Sequence, residues 1–251
     1  MARFLELAGR TGIPVAAAGV EMGGLPDHDA YWGGEPVVPA PPVEGAAVEL
    51  LAASVDAGAT IVAIGPFTNL ARLEAEYPGA LARTDVVVMG GWVHPPAEGL
   101  PQWGPDMDWN VQCDTRAAVT VVEAARRPTM VTLAATLAAP LLPSHLGRLE
   151  SSGPVGQLLA RQGRAHGAQF DMPGGVLNFQ YDPVACAVAV GWPGARFEEM
   201  RLRPVFDGET LRFEPGDDGH PVRVVTEVDG DAFAEVWLSA VEGSTGAARR
   251  G

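Results

Sequence analysis

Apolar and polar positions along the chain fall into blocks whose period changes, and those changes predict where helices and strands begin. Residues 1–12 put Phe4, Leu5, Leu7 and Ala8 on one side of an amphipathic helix that Thr11-Gly12 stops. Ile13 to Val20 reads as a short apolar strand, and Gly23 to Gly45, rich in Gly and Pro, as a loop long enough to serve as a lid or binding loop. Helical spacing returns through Val48, Leu51 and Val55 over residues 46–57. It is followed by a buried strand over 60–64, a helix over 69–76 ending before Pro78, and a strand over 85–89. A second long loop, Gly90 to Asp108, carries Trp92, His94 and Trp103. Then come a helix over 115–126, a strand over 129–134, and two helices over 137–150 and 155–168, the first interrupted by Pro143. An apolar helix over 182–190 opens on Asp-Pro. Strands are predicted over 196–205, 210–213 and 222–228, with an acidic turn at Asp217-Asp218, and a helix over 231–241 closes the chain.

Strands alternating with helices argue for an α/β fold, an open and mostly parallel sheet with helices on both faces, to which the late strands make a small antiparallel addition. Neither an internal repeat nor a linker divides the chain, so one domain over 1–251 is expected, with a disordered tail at 243–251.

Composition narrows the choice of partners. With 17 basic against 31 acidic residues the net charge is −14, which repels phosphate backbones and anionic lipid and suits a neutral substrate or a cation. Nucleic acid and membrane are therefore not expected partners. Cys113 and Cys186 read as small apolar residues, Cys186 in the core, and two cysteines make no disulfide framework. With no apolar run of membrane length and no signal-peptide stretch at the start, the expected location is the cytoplasm.

In parallel sheets ligands gather beyond the carboxyl ends of the strands. Polar residues stand at four such junctions: Gly65-Pro66-Phe67-Thr68-Asn69-Leu70-Ala71, Asp108-Trp109-Asn110 with Asp114, Thr136, and Tyr181-Asp182-Pro183. Each has a structural explanation as a helix cap or, for Asp182-Pro183, a helix start. As a set they resemble the inosine-uridine-preferring nucleoside hydrolases. Residues 65–71 are similar to that family's Gly-Pro-Leu-Thr-Asn-Leu-Ala, and Met89-Gly90-Gly91 to its Met-Gly-Gly. Asp108-Trp109-Asn110 and Asp114-Thr115-Arg116-Ala117-Ala118 resemble its Glu-Phe-Asn and Asp-Pro-Glu-Ala-Ala, and Tyr181-Asp182-Pro183-Val184-Ala185 its His-Asp-Pro-Leu-Ala.

The resemblance implies hydrolysis of the N-glycosidic bond of ribonucleosides, with an active-site Ca2+ that binds water and the ribose hydroxyls. Calcium accepts many oxygen ligands in flexible geometry, and a bound ion lowers the pKa of its water. By the same resemblance Asp182 is a calcium ligand and Thr136 offers its backbone carbonyl. Asn110 binds ribose hydroxyls, Asp108 does so from an arm one methylene shorter than the family's Glu, and Met89 lies where the strand enters the pocket. Tyr181 replaces a His on the leaving-group side. Gln102 stands in for an Asn of the loop after Met-Gly-Gly, beside Trp103, whose ring could stack on a base. The remaining histidines, His28, His94, His145, His166 and His220, read as solvated or structural. Relatives are often dimers or tetramers, so a homo-oligomer is among the expected states.

One departure is large. The family opens on a strand running into Asp-x-Asp-x-Gly-x-Asp-Asp, which supplies further calcium ligands and the general base, and a second strand follows. Nothing here matches, so a sheet lacking the first two strand-helix units, about 50–60 residues, is expected. The expectations are then an incomplete sequence that is inactive alone, a companion chain supplying the strands, or a non-catalytic nucleoside- or sugar-binding relative. An unrelated α/β protein whose loop residues only cap helices is the remaining alternative.

Overall fold

The structure of the protein, a computed structural model, describes residues 1–10, 12–17, 45–170 and 172–247. Short apolar segments form the parallel part of the sheet: β1 (Ile61–Ala63), β2 (Val86–Met89), β3 (Thr129–Val131) and β8 (His220–Val228). Two further strands, β6 (Ala195–Asp207) and β7 (Thr210–Pro215), continue it in the order β1-β2-β3-β8-β6-β7. Parallel registers run Ile61↔Val86, Val87↔Thr129 and Thr129↔Arg223, whereas β6 pairs antiparallel with both β8 and β7. A separate antiparallel pair joins β4 (Pro140–Leu141) to β5 (Asn178–Phe179).

The period of two along each strand divides the core between the faces of the sheet. Val86 and Val88 point to one side, where α2 (Ala46–Asp56), α3 (Thr68–Glu76) and α5 (Thr115–Ala124) bury Val48, Leu70, Leu73, Ala118 and Val121. Val87 and Met89 point to the other, where α6 (Leu133–Thr136), α9 (Tyr181–Ala189) and α10 (Gly230–Ala247) pack Leu133, Val184, Val188 and Phe233. A third cluster joins α10 to α7 (Leu146–Ser151) and α8 (Gly153–Gln169) through Leu149, Ala160 and Leu238. The remaining helices are α1 (Ala2–Leu7) and α4 (Trp109–Gln112). Among the described residues no helix is long and apolar enough to cross a membrane.

The α/β expectation holds, and several details differ. Residues 13–17 form no strand, and the rest of the strand expected over 13–20 lies outside the described residues, as does almost all of the 23–45 loop and His28. The strand expected over 129–134 stops at Val131, because the Thr132 hydroxyl accepts the Ala135 N–H and starts α6. The helix expected over 137–150 is replaced by β4, a 3-10 turn at Pro143–His145 and α7: proline, which has no N–H to donate, occupies positions 140 and 143. The late strands are no appendage, since β8 enters the sheet beside β3. The closing helix runs on to Ala247, through much of the tail expected to be disordered. Cys186 is exposed rather than buried, on the outer side of a helix whose inner side is Val184, Ala185 and Val188.

Gln112 at the end of α4 ties the second long loop to β7. Its amide donates to the carbonyls of Pro105 at 2.9 Å and Leu211 at 2.7 Å, while its oxygen accepts the Leu211 N–H at 3.0 Å. Replacing Gln112 with Ala leaves the Leu211 N–H and C=O without these partners. The expected loss is about 2–3 kcal/mol of unfolding free energy in urea titration, and a change within experimental error would show that water replaces the amide.

Candidate active site

The carboxyl ends of β1, β2, β3 and β8 lead into the loops before α3, α4, α6 and α10, so their first turns share one edge of the sheet. The helix α9 reaches the same edge from the other direction. Its last residues, Val188 and Ala189, line a cavity of about 260 Å³ together with Thr60, Thr84 and Asp85, at the amino ends of β1 and β2. A nine-residue helix rises roughly 14 Å, about the height of these strands, so its first turn, Tyr181-Asp182, lies at their carboxyl ends.

On that edge the carboxylates divide by what they touch. Asp114 accepts the Ala117 N–H at 3.0 Å and the Thr68 hydroxyl at 2.5 Å, pinning the Gly65-Pro66-Phe67-Thr68 loop to α5. Asp108, 2% exposed, turns inward: one oxygen accepts the Gly91 N–H at 2.5 Å and the other the Val111 N–H at 3.3 Å, capping α4. Burial pushes its carboxyl from the ordinary 3.8 up to about 6 against the opposing pull of these two bonds. Asp182 is different. It is half-buried, and burial raises its carboxyl to about 6, yet the described residues place no hydrogen bond or ion pair on it.

Asn110, buried but for 9% of its surface, is held by the Met89 carbonyl, to which its amide nitrogen donates at 3.1 Å. The Met89 sulfur lies 3.3 Å from the same nitrogen. The described residues put no donor on its Oδ1, which is left as an acceptor. Between Met89 and Asn110 the backbone makes a turn that only glycine tolerates. Gly90 and Gly91 have φ of +135° and +99°, and a Cβ on Gly91 would run into the Met130 side chain.

The aromatic side chains of this edge form a row. Trp103 meets Phe179 edge-on with ring centroids 5.7 Å apart, and Phe179 lies 5.9 Å from Tyr181. The Trp92 indole N–H donates to the Trp103 carbonyl at 3.2 Å and fixes that loop. Burial, then the neighbouring Asp182, push the Tyr181 hydroxyl above the ordinary tyrosine range, so it stays protonated and can donate.

The structure thus brings Met89, Asp108, Asn110, Tyr181 and Asp182 to one edge. It sets Gln102 apart, since its amide donates to the carbonyls of Ala97 and Leu100 at 3.0 and 2.9 Å and closes its own loop. Thr136 is 0% exposed, its carbonyl accepts the Ala139 N–H at 3.0 Å and its hydroxyl donates to Leu133. Among the histidines, His166 and His220 bond to the carbonyls of Leu177 and Ala125, and His145 to the Leu142 N–H. Sequence reasoning passed over Phe179, in a strand too short to show a period, and Gln112, whose partner lies 99 residues away. The helix-cap explanation offered for the Asp108 junction is the one the structure shows, with the Asp108 side chain accepting the Val111 N–H.

Asp108 and Asp182 both shape the acid response of this edge, and the part due to Asp108 can be isolated by substitution. The folded protein holds its proton more tightly than the unfolded chain, so between about pH 4 and 6 the folded state binds more protons and stability falls as pH rises. Above about pH 6 this contribution is flat. Urea unfolding from pH 4 to 7 should show the native protein losing up to about 3 kcal/mol relative to Asp108→Asn across that window. Parallel profiles would mean that the carboxyl ionises alike in both states.

Comparison with known proteins places this geometry. The family model described as inosine-uridine preferring nucleoside hydrolase matches residues 1–235. The pyrimidine-specific ribonucleoside hydrolase RihA of Shewanella woodyi is 33% identical over 172 residues, 63% of this chain and 54% of that protein. Its counterpart in Klebsiella pneumoniae subsp. pneumoniae is 34% identical over the same length. The match therefore spans about half the length of these curated relatives. The solved structure of a plant nucleoside hydrolase, the PpNRh1 enzyme, superposes with a TM-score of 0.76 at 21% identity over 97% of this chain and 84% of that one. The purine-preferring ribonucleoside hydrolase from Gardnerella vaginalis does so with 0.76 at 20% identity over 96% and 83%. Such identities speak for the fold, and the family match over most of the chain for descent: the chain belongs to the inosine-uridine preferring nucleoside hydrolase family.

Proposed function

We propose that the protein hydrolyses the N-glycosidic bond of ribonucleosides, releasing ribose and the free base. The observation that supports this reading is a pair of acceptors at one edge of the sheet, the carboxylate of Asp182 and the Oδ1 of Asn110, on which the described residues place no donor. Ribose hydroxyls are donors that such acceptors orient, and a carboxylate serves a sugar-bound cation as well. In the reaction the bond from the anomeric carbon to the base nitrogen breaks, water adds its oxygen to that carbon, and a proton goes to the departing base. Tyr181, held protonated, donates a hydrogen bond on the leaving-group side, and the row of Trp103, Phe179 and Tyr181 offers ring faces to a base.

Calcium is the ion we infer for Asp182, because carboxylate and amide oxygens suit a hard cation, and when bound it supplies a water of lowered pKa. The described residues hold no group of three or more His, Cys, Asp or Glu able to bind a metal, so by themselves they do not complete the site. The same observation favours a second reading, a relative of this fold that binds nucleosides or sugars without turning them over.

Incubation with uridine or inosine and calcium, with release of reducing sugar measured, tests the first reading. Turnover that chelator abolishes, and that Asp182→Asn lowers at least about 100-fold, is the expected result. Calorimetric binding of the nucleoside with no sugar released would move the assignment to the second reading. Because one carboxylate compensates little of the charge, Ca2+ titration of this chain should give a Kd no tighter than about 1 mM. Micromolar binding would show that residues beyond the described ones complete the site.

A further inference from the structure

Asp108 is the carboxylate that the resemblance places against the sugar, and its surroundings assign it other work. Both oxygens are taken by backbone donors, Gly91 N–H and Val111 N–H. Gly90 closes a further side, where even a Cβ would stand only 3.1 Å from the Asp108 Oδ1. With 2% of the residue exposed, no route is left for a hydroxyl to reach it. What it touches, however, frames Asn110. Gly91 follows the Met89-Gly90 step whose carbonyl receives the Asn110 amide, and Val111 is the next residue along α4. A single side chain therefore fixes the segments on both sides of the Met89–Asn110 bond.

We propose that Asp108 is a positioning residue that aims Asn110 and touches no substrate, and that one sugar hydroxyl consequently goes unread by any carboxylate at this position. This rests on the ribonucleoside reading and adds a substrate class to it: nucleosides lacking that hydroxyl are turned over nearly as well as the parent. Sites built to hydrogen-bond a substrate hydroxyl reject the analogue lacking it by roughly 10⁴–10⁵, because a buried polar group is left unpaired. Here the Asp108 carboxylate is already satisfied and loses nothing when the hydroxyl is absent.

The test is a cycle between protein and substrate, measuring kcat and KM for a ribonucleoside and its 2′-, 3′- and 5′-deoxy forms in the native protein, Asp108→Ala, Asp108→Asn and Asn110→Ala. At least one deoxy form is expected within about tenfold of the parent in the native protein, against that much larger rejection by a hydroxyl-reading site. Asp108→Ala should raise KM in the same substrate pattern as Asn110→Ala, sparing only the deoxy form that lacks the hydroxyl Asn110 reads, with Asp108→Asn, which keeps an acceptor for Gly91, smaller in effect. Loss of folded protein alone would lower kcat and leave KM unchanged. A deoxy form spared by Asp108→Ala but not by Asn110→Ala, with the parent harmed at least 100-fold, would show direct contact and overturn the proposal, as would strong rejection of all three deoxy forms by the native protein. Should no nucleoside be turned over or bound, the ribonucleoside reading itself falls. Hydrogen exchange at the Gly91 amide then decides the positioning role: exchange at least tenfold faster in Asp108→Ala supports it, and unchanged protection overturns it.

Discussion

Two hydrogen bonds reach across the carboxyl edge of the sheet, from Gly91 N–H to the Asp108 carboxylate and from the Asn110 amide to the Met89 carbonyl, and they bind β2 to the first turn of α4. Between them lie the 16 residues from Trp92 to Met107, a loop that has to cross the edge and return. Gly90 and Gly91 let the backbone leave β2 at an angle closed to other residues, and the buried carboxylate accepts the Gly91 N–H which that angle turns away from the sheet. Without this crossing Asn110 would have no fixed direction, and the Trp103 ring, which rides on the same loop, would lose its seat against Phe179.

The carboxylates of this edge are unequal. Asp108 and Asp114 are spent on backbone and hydroxyl donors, which makes them parts of the scaffold. Asp182 sits on the first turn of α9, where the helix dipole favours negative charge, and among the described residues it has no partner. Burial raises the pKa of both Asp108 and Asp182, and at Asp108 two backbone hydrogen bonds offset part of that cost, whereas at Asp182 no hydrogen bond from the described residues does.

Much of this was legible from residue order. The apolar runs at 60–64 and 85–89 and the helical spacing around Val48 and Val121 mark the sheet and its coverings, because burial on both faces leaves few other patterns. Asn110 and Asp182 drew attention through their motifs, and each keeps an acceptor on which the described residues place no donor. Spatial consequences were not legible: a side chain one methylene shorter at 108 reads the same whether it reaches toward a sugar or retracts beneath Gly90. Gln102 looked like a substrate amide because nothing in the order of residues says that Ala97 and Leu100 would claim it. Residues 137–150 were read as one helix because their apolar content resembles one, although the prolines at 140 and 143 gave grounds for β4 and a tight turn. Cys186 failed for a related reason, since mean apolarity does not tell which side of α9 faces out.

The position of β8 in the sheet bears on how the protein comes into being. It lies between β3 and β6 in space, yet it is made after both, so the central seam stays open until most of the chain has left the ribosome. Until then β3 presents an unpaired edge of the kind that recruits other strands. Parallel pairing across some 90 residues of intervening chain is also slow to form. The nascent protein therefore passes through a window in which this seam is open to other strands, the kind of exposure by which partly folded chains aggregate.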